Sequence, residues 1–151
     1  KTGLFPLASL ITPNLKETAL LLEREVNNVE DMKKAAFDLL SFGSKAVVVK
    51  GGHLLEKIIS DVLWVQGESQ AHTFDADYIE TENLHGTGCT LSSAIASYLA
   101  LGYTLIQAVS LAKQYVSQAI LYGRDVTIGH GHGPLNHAFN PQKLKINEKN
   151  N

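Results

Sequence analysis

Apolar and polar positions along the chain follow two periods, and the changes between them divide it into elements. An apolar run at Leu7–Ile11, closed by Thr12-Pro13-Asn14, has the length of a buried parallel strand, and Pro13 marks its end because it brings no N–H to a ladder. Asn14 can cap the helix that follows, with Glu17 as its reciprocal partner and Leu15, Ala19 and Leu22 as the apolar stripe. A second amphipathic helix is predicted over Val29–Phe42, with Met32, Ala35, Ala36 and Leu39 on one side and Gly43 as its C-cap. Lys45–Lys50 is β-branched, uninterrupted and closed by Gly51-Gly52-His53, the clearest buried strand in the chain. Strand, helix, helix, strand predicts a right-handed crossover between parallel strands.

The period of two returns at Ile58–Val65 and Ser69–Phe74, flanking Gln66-Gly67-Glu68 as a hairpin. Alternation through Asp61-Val62-Leu63-Trp64 suggests a one-sided sheet edge, with Asp61 an edge or turn charge. The stretch from Asp75 to Leu84 is polar, and its Asp77, Glu80 and Glu82 are expected to be surface charge. From Leu91 the helical spacing resumes at Ala94, Ile95, Tyr98 and Leu99. Gly102-Tyr103-Thr104 breaks into a last helix that buries Leu105, Ala108, Val109, Ala112, Val116, Ala119 and Ile120 and stops at Gly123. Lys143 to Asn151 is polar, has no period, and is expected to fray.

At 151 residues, 44% of them apolar, this is the size and composition of one ordinary globular domain. Thirteen basic against fifteen acidic residues leave a net charge of −2, and no stretch gathers Lys and Arg, so a nucleic-acid footprint is not expected. No apolar run approaches the ~20 residues of a membrane span, and no secretory leader is recognisable. A single cysteine forms no internal disulfide and suits a reducing cytoplasm.

The densest candidate chemistry lies at His85-Gly86-Thr87-Gly88-Cys89-Thr90-Leu91-Ser92, where an extended polar run turns through two glycines into an apolar helix. The first amides of a helix lack internal partners and its dipole is positive there, so a phosphate or developing anion is welcome. Glycines at such a junction also commonly serve the backbone alone. Asn14 and Glu17 likewise have two compatible readings: a capping box, and an amide and carboxylate at a strand end where open α/β sheets place ligands. Lys50, next to the Gly51-Gly52 turn, is placed to meet a phosphate. His130, His132 and His137 invite a metal reading, which their glycine-rich spacing disfavours.

The run Gly86-Thr87-Gly88-Cys89 resembles the anion-hole motif of the ribokinase-like kinases, and Cys89, where most of that superfamily has Asp, is similar to the hydroxymethylpyrimidine and hydroxymethylpyrimidine-phosphate kinase branch of thiamine biosynthesis. Thr12-Pro13-Asn14-Leu15-Lys16-Glu17, Val48-Val49-Lys50-Gly51-Gly52-His53 and Gly129–Asn136 resemble further motifs of the same family, so the likeness runs from about Ile11 to Asn136. The resemblance implies a three-layer α/β/α fold with a mostly parallel sheet and a β-hairpin edge. Residues 1–142 would be the C-terminal part of one such domain and 143–151 its tail, with several strands and most of the pyrimidine pocket in a portion preceding Lys1.

The implied activity is phosphorylation of 4-amino-5-hydroxymethyl-2-methylpyrimidine and then of its monophosphate by ATP with Mg²⁺. By the same resemblance Gly86, Thr87 and Gly88 form the anion hole, and Cys89 takes the hydroxyl proton. Asn14, Lys50 and Gly51 lie at the nucleotide phosphates and Glu17 at the metal. The resemblance also implies that the 129–137 loop packs near the nucleotide and that the complete enzyme is a homodimer, expected in the cytoplasm. A pyridoxal kinase of the same superfamily, or a non-catalytic part of such a kinase, is the alternative.

Overall fold

The computed structural model describes residues 3–52 and 57–143. His53 and nearly all of the 143–151 tail lie outside the described residues. Helices α1 (Leu15–Leu22) and α2 (Val29–Leu39) precede strand β1 (Ala46–Lys50), the hairpin of β2 (Ile58–Val65) and β3 (His72–Asp77), and helices α3 (Thr87–Ala100) and α4 (Leu105–Leu121).

Side chains alternate across a strand, so a sheet covered on both faces needs apolar residues at every position. This is why β1 carries an unbroken run of valines. Val47 and Val49, with Val62 of β2, pack against Met32, Ala36 and Leu39 of α2 and Leu15 of α1. Ala46 and Val48, with Leu63, pack on the opposite face against Leu91 and Ile95 of α3 and Ala108 and Ala112 of α4. The result is the expected three-layer α/β/α arrangement. The small residues on α2 and α4 let both helices approach the sheet closely, and Met32, Leu39, Leu63 and Ile95 are wholly buried, each worth roughly 1.5–3 kcal/mol against exposure.

The sheet corrects the expectation of mostly parallel strands. Its order is β1-β2-β3, and both pairings are antiparallel. The connections, residues 51–57 and 66–71, are shorter than the dozen or so residues a parallel crossover requires. Parallel pairing occurs on the other side of β1, as bridges from Ile11 to Val47 and from Asn14 to Lys50. Ile11 N donates to Ala46 O, Val48 N to Ile11 O, and Lys50 N to Pro13 O. Pro13 therefore does not end the pairing, since its carbonyl still accepts. The start of the apolar run differs too: Phe5–Leu7 forms a 3₁₀ turn and Leu7 is exposed.

The β2–β3 hairpin turns through Gly67, but β3 begins at His72 and runs to Asp77, three residues beyond its expected end. β3 is the edge strand, and β2 is central with Ser60–Leu63 buried. Asp61 is thus not an edge charge. α2 ends through a 3₁₀ turn at Leu40–Phe42 into Gly43, at φ +101°, as expected. On α3 only Leu91 and Ile95 are fully buried and Leu99 is partly exposed. Among the described residues no helix is long and apolar enough to cross a membrane.

Candidate active site

Elements α1, β1, β2, α3 and α4 converge on a cleft of about 860 Å³ lined by Thr12, Asn14, Glu17, Lys50, Gly86, Thr87, Gly88 and Cys89, together with Asp61 and Lys113. The parallel bridge between Asn14 and Lys50 brings the start of α1 beside the end of β1. The helix pair α3 and α4 covers that sheet face, so the start of α3 comes to the same end.

The capping box at α1 is present in both directions. Glu17 N donates to Asn14 Oδ1 at 2.8 Å, and Asn14 N donates to Glu17 Oε2 at 2.7 Å. Glu17 is exposed and forms no ion pair among the described residues, so its second oxygen remains free toward the cleft. Capping and cation binding are both open to it. A hard divalent cation takes oxygen ligands of this kind, and Glu17 is the carboxylate that the start of α1 brings to the cleft.

The start of α3 differs from every other α-helix start among the described residues. α1, α2 and α4 are each capped by a side chain, from Asn14, Asn28 and Thr104. α3 has Gly86 at the cap position, at φ +88°, where an L side chain would be strained and no side chain accepts from the helix amides. Thr87 N is taken by Leu84 O and Thr90 N by Gly86 O, which leaves the Gly88 and Cys89 amides without a protein acceptor among the described residues. The Thr87 hydroxyl donates to Leu84 O at 2.7 Å and fixes the turn. The Cys89 thiol is exposed in this first turn.

Lys50 reaches into the same corner. A Cβ built on Gly88 would lie 3.2 Å from Lys50 Nζ, so the ammonium rests against the helix start. It has no ion-pair partner among the described residues. A cation beside two amides unpaired among the described residues, at the positive end of a helix dipole, is an arrangement that favours an anion.

Gly51 does a different job from the one expected of it. Its N–H donates to the buried Asp61 Oδ1 at 2.9 Å, and a Cβ on it would run into the Ser60 carbonyl oxygen. Gly52, not Gly51, lines the cleft.

Several cleft residues carry no legible motif. Asp61 and Lys113 form a buried ion pair, Lys113 Nζ to Asp61 Oδ2 at 2.7 Å. Lys113 falls four residues after Val109 and three before Val116, on the buried stripe of α4, and a charge on an apolar stripe was the available signal. Ser92 donates to Gly88 O at 3.1 Å, so the 2.8 Å contact between Thr12 Oγ1 and Ser92 Oγ uses the threonine proton. It ties the Thr12–Asn14 segment to α3. Asn83 is buried and donates from Nδ2 to Gly123 O and Val126 O, both at 2.7 Å, anchoring the approach to Gly86 on the end of α4.

The 129–137 loop runs along this approach. His85 N donates to Gly133 O, and His137 Nε2 meets Thr90 Oγ1 at 2.9 Å in the first turn of α3. His130 and His132 are exposed, and no group of three His, Cys, Asp or Glu among the described residues could hold a metal ion.

The fold is α/β and the cleft ends on a helix start with amides unpaired among the described residues, and comparison with known proteins gives the family. A family described as phosphomethylpyrimidine kinase matches residues 1–136, and the chain belongs to that family. It is similar to the hydroxymethylpyrimidine/phosphomethylpyrimidine kinase of Rhizobium meliloti, at 46% identity over 89% of this chain and 50% of the relative. Among solved structures it is similar to the phosphomethylpyrimidine kinase of Clostridium difficile, with 40% identity and a TM-score of 0.62 over 79% of this chain and 46% of the other. It is also similar to the pyridoxal kinase of Staphylococcus aureus in complex with ADP, with 33% identity and a TM-score of 0.81 over 91% of this chain and 50% of the other. The chain spans 25% to 50% of the length of the curated relatives it matches.

Proposed function

We propose that the chain carries the phosphate-handling part of an enzyme that phosphorylates 4-amino-5-hydroxymethyl-2-methylpyrimidine, and then its monophosphate, with ATP. The observation that carries this is the uncapped start of α3, with the Gly88 and Cys89 amides and the Lys50 ammonium, all without a partner among the described residues, gathered at one point of the cleft. Phosphoryl transfer asks for positioning and charge stabilisation more than for covalent chemistry. The Gly86–Gly88 turn binds the γ-phosphoryl oxygens through helix amides, and Lys50 shares their charge. Thr87 holds that turn in place through Leu84 O. Cys89, one turn-step further and exposed, takes the proton of the attacking hydroxyl.

Asn14 fixes Glu17 within the capping box of α1, and Gly51 holds the end of β1 through Asp61. Glu17 would hold Mg²⁺, which when bound neutralises charge on the nucleotide phosphates. A homodimer and a cytoplasmic location are expected with this function, on the family resemblance.

Pyridoxal phosphorylation is the second reading, favoured by the higher TM-score of the pyridoxal kinase structure. Backbone superposition reports shape, whereas substrate choice is made by side chains. The identities of 46% and 40% with pyrimidine kinases, against 33%, therefore weigh more. The test is a comparison of kcat/KM for the pyrimidine alcohol and for pyridoxal with MgATP in the full-length protein. The pyrimidine should be preferred by at least about ten-fold; preference for pyridoxal reverses the assignment.

A further inference from the structure

Lys50 and Asp61 stand directly opposite one another in the β1–β2 ladder. Opposite residues of an antiparallel pair project from the same face and are close enough to interact. That face is the one covered by α3 and α4, since Val48 and Leu63, the preceding pair of the same parity, pack against Leu91 and Ile95. A lysine opposite a buried aspartate is the natural cross-strand ion pair, yet none forms here. Both Asp61 oxygens are already engaged, Oδ2 by Lys113 Nζ at 2.7 Å and Oδ1 by Gly51 N at 2.9 Å. Lys113 comes from α4 and is itself 8% exposed, against 4% for Asp61.

We propose that Lys113 is a positioning residue: by occupying the Asp61 carboxylate it keeps that carboxylate away from Lys50 and leaves the Lys50 ammonium unpaired at the start of α3, ready for a phosphate. This rests on the reading of the cleft as a phosphate site. A buried carboxylate without a cation is strongly disfavoured, so one of the two lysines must serve it. The group of Lys50, Asp61 and Lys113 carries one net positive charge, and Lys113 decides which ammonium presents it. Removing Lys113 makes Lys50 the replacement partner, withdrawing it from Gly88. Removing the Asp61 charge as well abolishes the competition.

The experiment measures binding of a non-hydrolysable ATP analogue with magnesium by calorimetry, in the full-length protein. Lys113→Met should weaken binding by about ten-fold or more, since it costs the ligand a charge-assisted contact. The double variant Asp61→Asn/Lys113→Met should return to within about three-fold of the parent, because the two changes are coupled through Lys50. The Asn oxygen can still accept from Gly51 N–H. Adding Lys50→Met to the double variant should abolish the recovery. A generally damaged fold gives no such rescue, and a double variant as weak as Lys113→Met overturns the proposal.

If Lys113→Met does not fold, Lys113→Gln, which keeps a donor for the Asp61 carboxylate but not the charge, replaces it: about ten-fold weaker binding restored by Asp61→Asn supports the proposal, and binding within about three-fold of the parent overturns it. No analogue binding by the parent, or no effect of Lys50→Met in it, defeats the phosphate reading and the proposal with it.

Discussion

The two glycines after β1 stand side by side and should respond to the same substitution in opposite ways. In Gly51→Ala the new Cβ runs into the backbone carbonyl oxygen of Ser60, which belongs to central strand β2 and has no rotamer by which to yield. The turn must lift away from β2, at an overpacking cost of about 1–3 kcal/mol. Lifting it stretches the bond from Gly51 N to the buried Asp61 carboxylate, a hydrogen bond to a charged group worth about 1.5–3 kcal/mol. Together these predict a loss of about 3–5 kcal/mol, from a total that is ordinarily about 5–15 kcal/mol. With a urea slope near 2 kcal/mol/M, the unfolding midpoint should fall by about 2 M. Gly52→Ala is the control. Its Cβ would meet nothing within 4 Å, so stability should stay within about 0.5–1 kcal/mol of the parent, and can rise through the unfolded chain. Urea unfolding followed by circular dichroism reads both. Equal midpoints for the two variants would refute the claim that Gly51 is a packing glycine held by β2.

Other substitutions separate structure from chemistry. Cys89→Ala, at an exposed thiol, should leave stability within about 0.5 kcal/mol while the rate falls by about a hundred-fold or more; steady-state turnover with unchanged kcat would remove the cysteine from proton transfer. Glu17→Gln keeps an oxygen for the Asn14 N–H, so it should cost less than about 1 kcal/mol yet raise the magnesium concentration needed for half-maximal rate; a stability loss with an unchanged magnesium requirement would make Glu17 a cap alone. The Thr18 hydroxyl is buried in α1 without a hydrogen-bond partner, and Thr18→Val, which keeps the shape, should raise stability by about 1 kcal/mol in thermal unfolding. Asn83→Ala strands the Gly123 and Val126 carbonyls and should cost about 2–4 kcal/mol, with faster amide exchange spreading to the Gly86 turn.

What the sequence showed plainly was whatever local rules decide. The Asn14–Glu17 box, the α2 stripe closed by Gly43, the valine run of β1 and the small-residue helices after Gly86 all follow from spacing within a few residues. Pairing direction was misread because a strand–helix–helix–strand order does occur here, between the Ile11–Asn14 segment and β1, but the strands after it return by short connections. Asp61 was misread because a polar residue in an alternating strand looks the same whether its face meets water or a buried lysine. Its partner lies 52 positions away on α4, and nothing in a period of two carries that distance. Asn83 and the Thr12–Ser92 contact escaped for the same reason. The residues proposed to bind a phosphate were legible as a motif; those that hold the motif in place were not.

An anion should dock on the uncapped start of α3. The most direct measurement is the ¹⁵N–¹H spectrum of the protein during titration with a non-hydrolysable ATP analogue and magnesium. The Gly88 and Cys89 amides should move most, downfield as they gain an acceptor, and Lys50→Met should reduce both shifts together. Binding that leaves those two amides where they were, with shifts gathered elsewhere, would contradict docking at that start.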